Sequence, residues 1–261
     1  MTISDCYDVS QPTVSRCISR VSRAVASMSH DIIRMPAEHE SMQVMEDFSG
    51  IGNMPGIIGC IDCTHVVISK PPGEDSERYR NRKGRFSLNV QAVCGPDLKF
   101  FNVVARWPGS AHDSNIFDNS HLCVEMEEGR HRGRLLGDAG YPCRNFLFTP
   151  LRNPQTDQEH TYNRRHIKTR NSIERAFGVL KRRFACLKGT VTVNLETTTI
   201  IIIAAAVLHN LAILGRVPLP EDAENNIEEP QDDIEDHDHG QYINEGLVGN
   251  AARLQYIRRY F

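Results

Sequence analysis

Three acidic residues in this 261-residue chain fall where carboxylates can do chemistry. Asp62 interrupts the apolar stretch Ile57-Ile-Gly-Cys-Ile-Asp-Cys-Thr-His-Val66, where an unpaired carboxylate is costly to desolvate, so a cation should face it. Asp138 closes the strand-like run Leu135-Leu136-Gly137 and precedes small, turn-forming residues that leave its carboxylate accessible. Glu174 is the only acid between Tyr162 and Gly189, a span holding nine Lys or Arg. Two readings of Glu174 stand side by side. It can pair with Arg170 one helical turn away, or it can join Asp62 and Asp138 in a three-carboxylate cluster that binds two hard divalent cations, magnesium or manganese, through oxygen. Two such ions would activate a water or hydroxyl for attack on a phosphodiester and stabilise the leaving oxygen.

Other reactive residue types have simpler readings. Cys60-x-x-Cys63 has the spacing of half a zinc site, but no second close pair accompanies it and Asp62 lies between the two, which favours core packing. His65 and His112 can hydrogen-bond the acids, and His209, on an apolar helix, reads as a satisfied core histidine. Gly-x-Ser-x-Gly, the mark of an α/β hydrolase nucleophile, does not occur. His237 and His239 sit in an acidic run where any metal binding would be weak.

The elements that must position the acids follow from periodicity. Val14, Ile18, Val21 and Val25 recur at helical spacing, with Arg16, Arg20 and Arg23 on another stripe, and Thr2 to Val9 can form a short helix before them. Short helix, turn and basic amphipathic helix is the outline of a helix-turn-helix, with an ordinary amphipathic packing helix as the other reading, and residues 1–48 are read as a helical, partial helix-turn-helix-like segment. Residues 57–69, 86–94 and 100–107 read as strands of an antiparallel meander, the second half-buried with Ser87, Asn89 and Gln91 on its polar side. Ile173, Phe177, Leu180 and Phe184 mark an amphipathic helix from Arg170 onward, and 197–214 a fully buried one. The longest apolar run, 200–214, contains His209 and Asn210 and is shorter than a membrane span of roughly 20 residues, so no membrane association is expected. An N-terminus without a basic start and apolar stretch argues against export. Net charge is −3, yet residues 221–240 hold ten acids and no Lys or Arg, and removing those ten charges leaves +7 on the rest. A basic body suits a polyanion partner, and 215–261 is read as an acidic tail in which residues 251–260 form a last amphipathic segment.

Several short blocks occur together: Gly59-Cys-Ile-Asp62-Cys-Thr-His65, Asn81-Arg-Lys-Gly84, Ser87-Leu-Asn-Val-Gln91, Trp107-Pro-Gly-Ser-Ala-His-Asp-Ser114, Leu136-Gly-Asp-Ala-Gly-Tyr-Pro142, Tyr162-Asn, Ile173-Glu-Arg-Ala-Phe-Gly178 and Leu208-His-Asn210. In this order, across residues 55–214, they resemble the Harbinger transposase-derived nucleases of the PIF/Harbinger group of DDE transposases. The stretch Val9-Ser-Gln-Pro-Thr-Val-Ser-Arg16 resembles that family's recognition helix. The resemblance implies an α/β, RNase H-like mixed sheet flanked by helices, in which Asp62, Asp138 and Glu174 are the catalytic triad and Asp113 joins the metal ligands. It further implies a divalent-metal-dependent nuclease acting on DNA, with a catalytically silent DNA-binding or assembly factor as the alternative. Candidate phosphate-binding residues are Arg16, Arg20, Arg82, Lys83, Arg85, Arg170, Lys181, Arg182 and Arg183. The family carries a longer N-terminal region, so a separate DNA-binding partner protein is expected, as are a homodimer and residence in the nucleus or cytoplasm.

Overall fold

The computed structural model describes residues 10–220 and 243–261. At its centre is a five-stranded sheet of β1 (Ile57–Val67), β2 (Ser87–Cys94), β3 (Phe100–Pro108), β4 (Arg134–Leu136) and β5 (Leu147–Phe148), in the order β3-β2-β1-β4-β5. The first three strands form the expected antiparallel meander; β4 and β5 are added in parallel beyond β1. This mixed sheet between helices is an α/β, RNase H-like architecture.

One face carries α3 (Glu38–Gly52), α6 (Asp157–Arg183), α7 (Leu195–Leu214) and α8 (Ile243–Tyr260), which bring Phe48, Ile173, Ile202 and Ile257 against Cys60, Val90 and Phe148 of the sheet. The other face carries α4 (Asp113–Asp118) and α5 (His121–Glu127), with Phe117 and Leu122 packed on Ile58, Ile61 and Val93. Covering both faces buries all eight residues of β2, so this strand is not half-buried as its alternation suggests. Its polar side chains are kept because they find hydrogen-bond partners.

Helix α6 starts at Asp157, well before the apolar repeat that marks it in the sequence. Thr156 caps it, its hydroxyl accepting from the Glu159 N–H while the Glu159 carboxylate accepts from the Thr156 N–H. The early turns bury Tyr162, His166 and Thr169, polar side chains that complete the inward stripe. Tyr162 donates to the Thr149 carbonyl, and His166 Nε2 lies 3.1 Å from the Phe148 carbonyl oxygen.

Helix α7 has the length and apolar composition of a membrane span, but it packs against β3 and buries Ile202 and residues 204–207 in the domain core. Its end is locked by polar contacts. His209 Nε2 meets the Leu98 carbonyl at 2.9 Å, and burial lowers the imidazole to about 4, so it is a neutral core histidine. Asn210 accepts from the Phe100 N–H and donates to the Phe100 and Ile32 carbonyls.

At the termini, three sequence expectations meet different outcomes. α1 (Gln11–Ala26) forms and lies on α7, with α2 (Ser29–Ile32) following, but the apolar stripe of α1 is not a core face: Val21 is 62% exposed and Ile18 42%. Val14 and Val25 of that stripe are half-buried, together with Ser22 and Ala26, which are displaced around the helix from it. The proposed preceding helix, Thr2 to Val9, and the acidic run 221–240 lie outside the described residues. The amphipathic end of the expected tail is instead part of the domain: α8 buries Tyr256 and Ile257, Arg253 donates to the Thr149 carbonyl, and Tyr256 donates to the Pro55 carbonyl.

Asn210→Ala leaves the buried Phe100 N–H and carbonyl without this partner and should destabilise the chain by about 2–4 kcal/mol. The measurement is the urea midpoint at unchanged slope; a midpoint equal to wild type contradicts the assigned role.

Candidate metal centre

The register between β1 and β4 places two acids side by side. Cys60 pairs with Leu136, and Asp62 and Asp138 each lie two residues further along these parallel strands. Sites in open α/β sheets form beyond the carboxyl ends of parallel strands, and Asp138 is the residue with which the chain leaves β4. Asp113 reaches the same place from the first turn of α4. Ligand oxygens of Asp62, Asp113 and Asp138 lie within 4.8 Å of one another, and no other carboxylate, His or Cys joins that group among the described residues.

β2 holds Asp113 in position. Asn89 donates from Nδ2 to Asp113 Oδ1 and to the Ala111 carbonyl, both at 2.9 Å. Gln91 donates to the Asp113 carbonyl at 3.1 Å and to Tyr141 Oη at 3.0 Å. Asn89 and Gln91 were legible only as the polar side of a strand. Two side chains spaced i, i+2 share a face, and here that face points at the acids instead of at water.

Asp62 uses both oxygens. Oδ1 accepts the Cys63 N–H at 2.7 Å and Oδ2 accepts from Arg170 Nη1 at 2.8 Å. The cation that desolvation demands is therefore Arg170. Its second terminal nitrogen, Nη2, lies 2.7 Å from Glu174 Oε1, so the helical-turn pairing of Glu174 is also present. Glu174 stands beside the three-acid group and is linked to it through Arg170. Burial pushes the Asp62 carboxyl up; Arg170 pulls it back, and Asp138 and Asp113 add to the rise. Burial also raises Asp138, with Asp113 contributing by like-charge repulsion. Three carboxylates in low dielectric repel one another, and a hard divalent cation relieves that repulsion through oxygen ligands. This donor set fits magnesium or manganese.

The neighbouring residues have ordinary roles. Cys60 and Cys63, three apart on a strand, project to opposite faces: Cys60 donates to the Thr169 carbonyl, and Cys63 Sγ lies 3.5 Å from Tyr141 Oη. His65 Nδ1 is 3.0 Å from Ser87 Oγ and is kept low by burial.

The candidate phosphate-binding residues separate into groups. Arg82, Lys83 and Arg85 are exposed on the loop before β2, a turn that Gly84 closes at φ +74°. Arg82 Nη2 lies 3.2 Å from His112 Nδ1. The fields of Lys181, Lys83 and Arg82 all act on His65, so these cations border the site on that side. Lys181 donates to Thr64 Oγ1 and to the His65 carbonyl, beside the end of β1. Arg182 is half-buried in the last turn of α6, where its charge suits the helix dipole. Arg183 is turned away, donating to the Val217 and Pro218 carbonyls beyond α7. Arg16 and Arg20 are exposed on α1, which lies on α7 and not on the strands that carry the acids.

Residues 61–210 match the family model of the DDE superfamily endonucleases, so the chain belongs to that family. Among curated proteins it is 39% identical over 216 residues to the human protein named "Putative nuclease HARBI1", a match covering 81% of this chain and 62% of that protein. It is 38% identical to the bovine protein of that name with the same coverage. To "Protein ALP1-like" of Arabidopsis thaliana it is 27% identical over 228 residues, covering 81% of this chain and 56% of the relative. The chain thus spans less than two thirds of the length of these relatives. No solved structure matches its sequence.

A carboxyl raised in the folded state makes folding less favourable as pH rises above its unfolded value. Asp138→Asn, whose amide oxygen can still accept the Gly140 N–H that Asp138 Oδ1 now takes at 3.1 Å, removes one repelling charge. In chelator at neutral pH it should be more stable than wild type by about 1 kcal/mol, the difference fading as pH falls below ~3, where the acids become neutral in both states. Equal denaturation midpoints from acid to neutral pH contradict the repulsion.

Proposed function

We propose that this chain is a divalent-metal-dependent nuclease that cuts DNA phosphodiester bonds with a two-metal arrangement, and that it acts where DNA is found, in the nucleus or as a cytoplasmic pool. The observation that carries this reading is the convergence of Asp62 from within β1, Asp138 from just past β4 and Asp113 from the start of α4 within 4.8 Å of one another, in a member of a DDE endonuclease family. Bound divalent cations would supply charge neutralisation at the phosphate and a water of lowered pKa.

The protein's own contribution is positioning. Asp62 and Asp138 are fixed by strand register, and Asp113 by the amides of Asn89 and Gln91. Glu174 stands beside them on α6 as a fourth acid, paired with Arg170. Arg82, Lys83 and Lys181 border the site with positive charge that would hold the sugar-phosphate backbone without reading sequence. Relatives named as nucleases support the reading.

Nicking of supercoiled plasmid in Mg²⁺ or Mn²⁺ is the test. Asp62→Asn and Asp138→Asn should each reduce the rate at least about 100-fold, a loss of ~2.7 kcal/mol of transition-state stabilisation, with folding retained. A mutant cutting near the wild-type rate removes that residue from the chemistry, and a wild type that binds duplex but never nicks it favours the DNA-binding factor. Lys83→Ala with Arg85→Ala should flatten the slope of log K against log salt by up to about 2 while leaving cleavage at saturating DNA intact. An unchanged slope places this loop away from the backbone.

A further inference from the structure

Arg170 is more than a counter-ion for Asp62. Its guanidinium is 9% exposed, it spans two carboxylates, and it cannot shed its charge by deprotonation. A divalent cation shared by Asp62 and Glu174 would have to take the position held by the guanidinium. A cation among Asp62, Asp113 and Asp138 would not, because those oxygens already lie together without Glu174. The four acids are therefore divided by one positive side chain into an open set of three and a locked fourth.

We propose that Arg170 is an internal latch that withholds Glu174 from metal and makes the second metal site conditional on a polyanion. A buried guanidinium that loses its carboxylates must find another anion, since an unpaired charge in that position is strongly unfavourable. The phosphate backbone of a nucleic acid is the anion that the basic rim of Arg82, Lys83 and Lys181 would bring there. Phosphate would draw Arg170 off Glu174, and Glu174 would then be free to ligate. Metal loading and DNA binding are coupled by this exchange, which keeps a fully loaded site from forming away from its substrate. The inference rests on the metal-dependent reading above and deepens it.

Titration of the full chain with Mn²⁺, following free ion by electron paramagnetic resonance, tests the latch without reference to cleavage. Wild type should bind one Mn²⁺ alone and two when a short random-sequence duplex is present, after subtraction of the ions that the duplex binds by itself. Arg170→Gln should bind two without duplex, its second site tightened by about tenfold or more, and the gain should vanish when Glu174→Gln is added. Arg170→Lys keeps the charge but cannot bridge both carboxylates, and should fall between wild type and Arg170→Gln. Two ions on wild type without duplex, or no change in either Arg170 variant, overturns the latch while leaving the metal site standing. Where Arg170→Gln fails to fold, Arg170→Lys and the wild-type comparison with and without duplex decide. Mn²⁺ binding that is absent from wild type, or unchanged by Asp62→Asn, defeats the metal reading itself and the latch with it.

Discussion

The structure is organised around a carboxylate kept in a place where carboxylates are expensive. Asp62 lies on the central strand of the sheet, and its charge is tolerable there because Arg170 meets it at 2.8 Å and the Cys63 N–H at 2.7 Å. Removing one partner of such a buried pair costs about 3–5 kcal/mol, whereas keeping both contributes little net stability. The pair therefore constrains the fold more than it strengthens it: α6 must cross β1 with Arg170 inward, and the long capped helix beginning at Asp157 meets that requirement. The remaining acids are then placed by β4 and by the start of α4.

That arrangement is a stability cost accepted at a functional site. Asp62 and Asp138 are both raised by burial and by their neighbours, so the cluster is strained by repulsion until something positive enters. Arg170 relieves part of the strain, on the α6 side. On the Asp113 side Asn89 donates to the carboxylate and Gln91 to the backbone carbonyl, which orients the acid without neutralising it. A divalent cation is what the unneutralised side accommodates, and this asymmetry is the physical content behind the family relationship.

Much of this was readable from residue order. The isolation of Asp62 in an apolar strand implied a facing cation, and the basic stretch around Glu174 contained it. The meander followed from β-rich runs separated by turn residues, and the mixed sheet from the family resemblance. What was hidden depended on tertiary placement. Asn89 and Gln91 have the alternation of a solvent face, and only the covering of the sheet by α4 turns that face inward. The first half of α6 buries Tyr162, His166 and Thr169, whose polarity masks the helical stripe. In α1 the opposite occurs: Ile18 and Val21 have the spacing of a core face but remain exposed, because the side of the helix that is covered takes in only Val14 and Val25 of that stripe. Asp113 lies beyond the meander in sequence and enters the site through the fold, so its part was implied by resemblance rather than by spacing.

The central claim is that Asp62, Asp113 and Asp138 form one oxygen cage for a divalent cation. Anomalous diffraction from crystals of the full chain grown with Mn²⁺ tests it most directly. The account predicts an anomalous peak at roughly 2.0–2.4 Å from carboxylate oxygens of all three residues, within the range of hard-cation coordination. Ordered, unshielded carboxylates at that position with no peak among them, at Mn²⁺ concentrations that fill other sites on the protein, would contradict it.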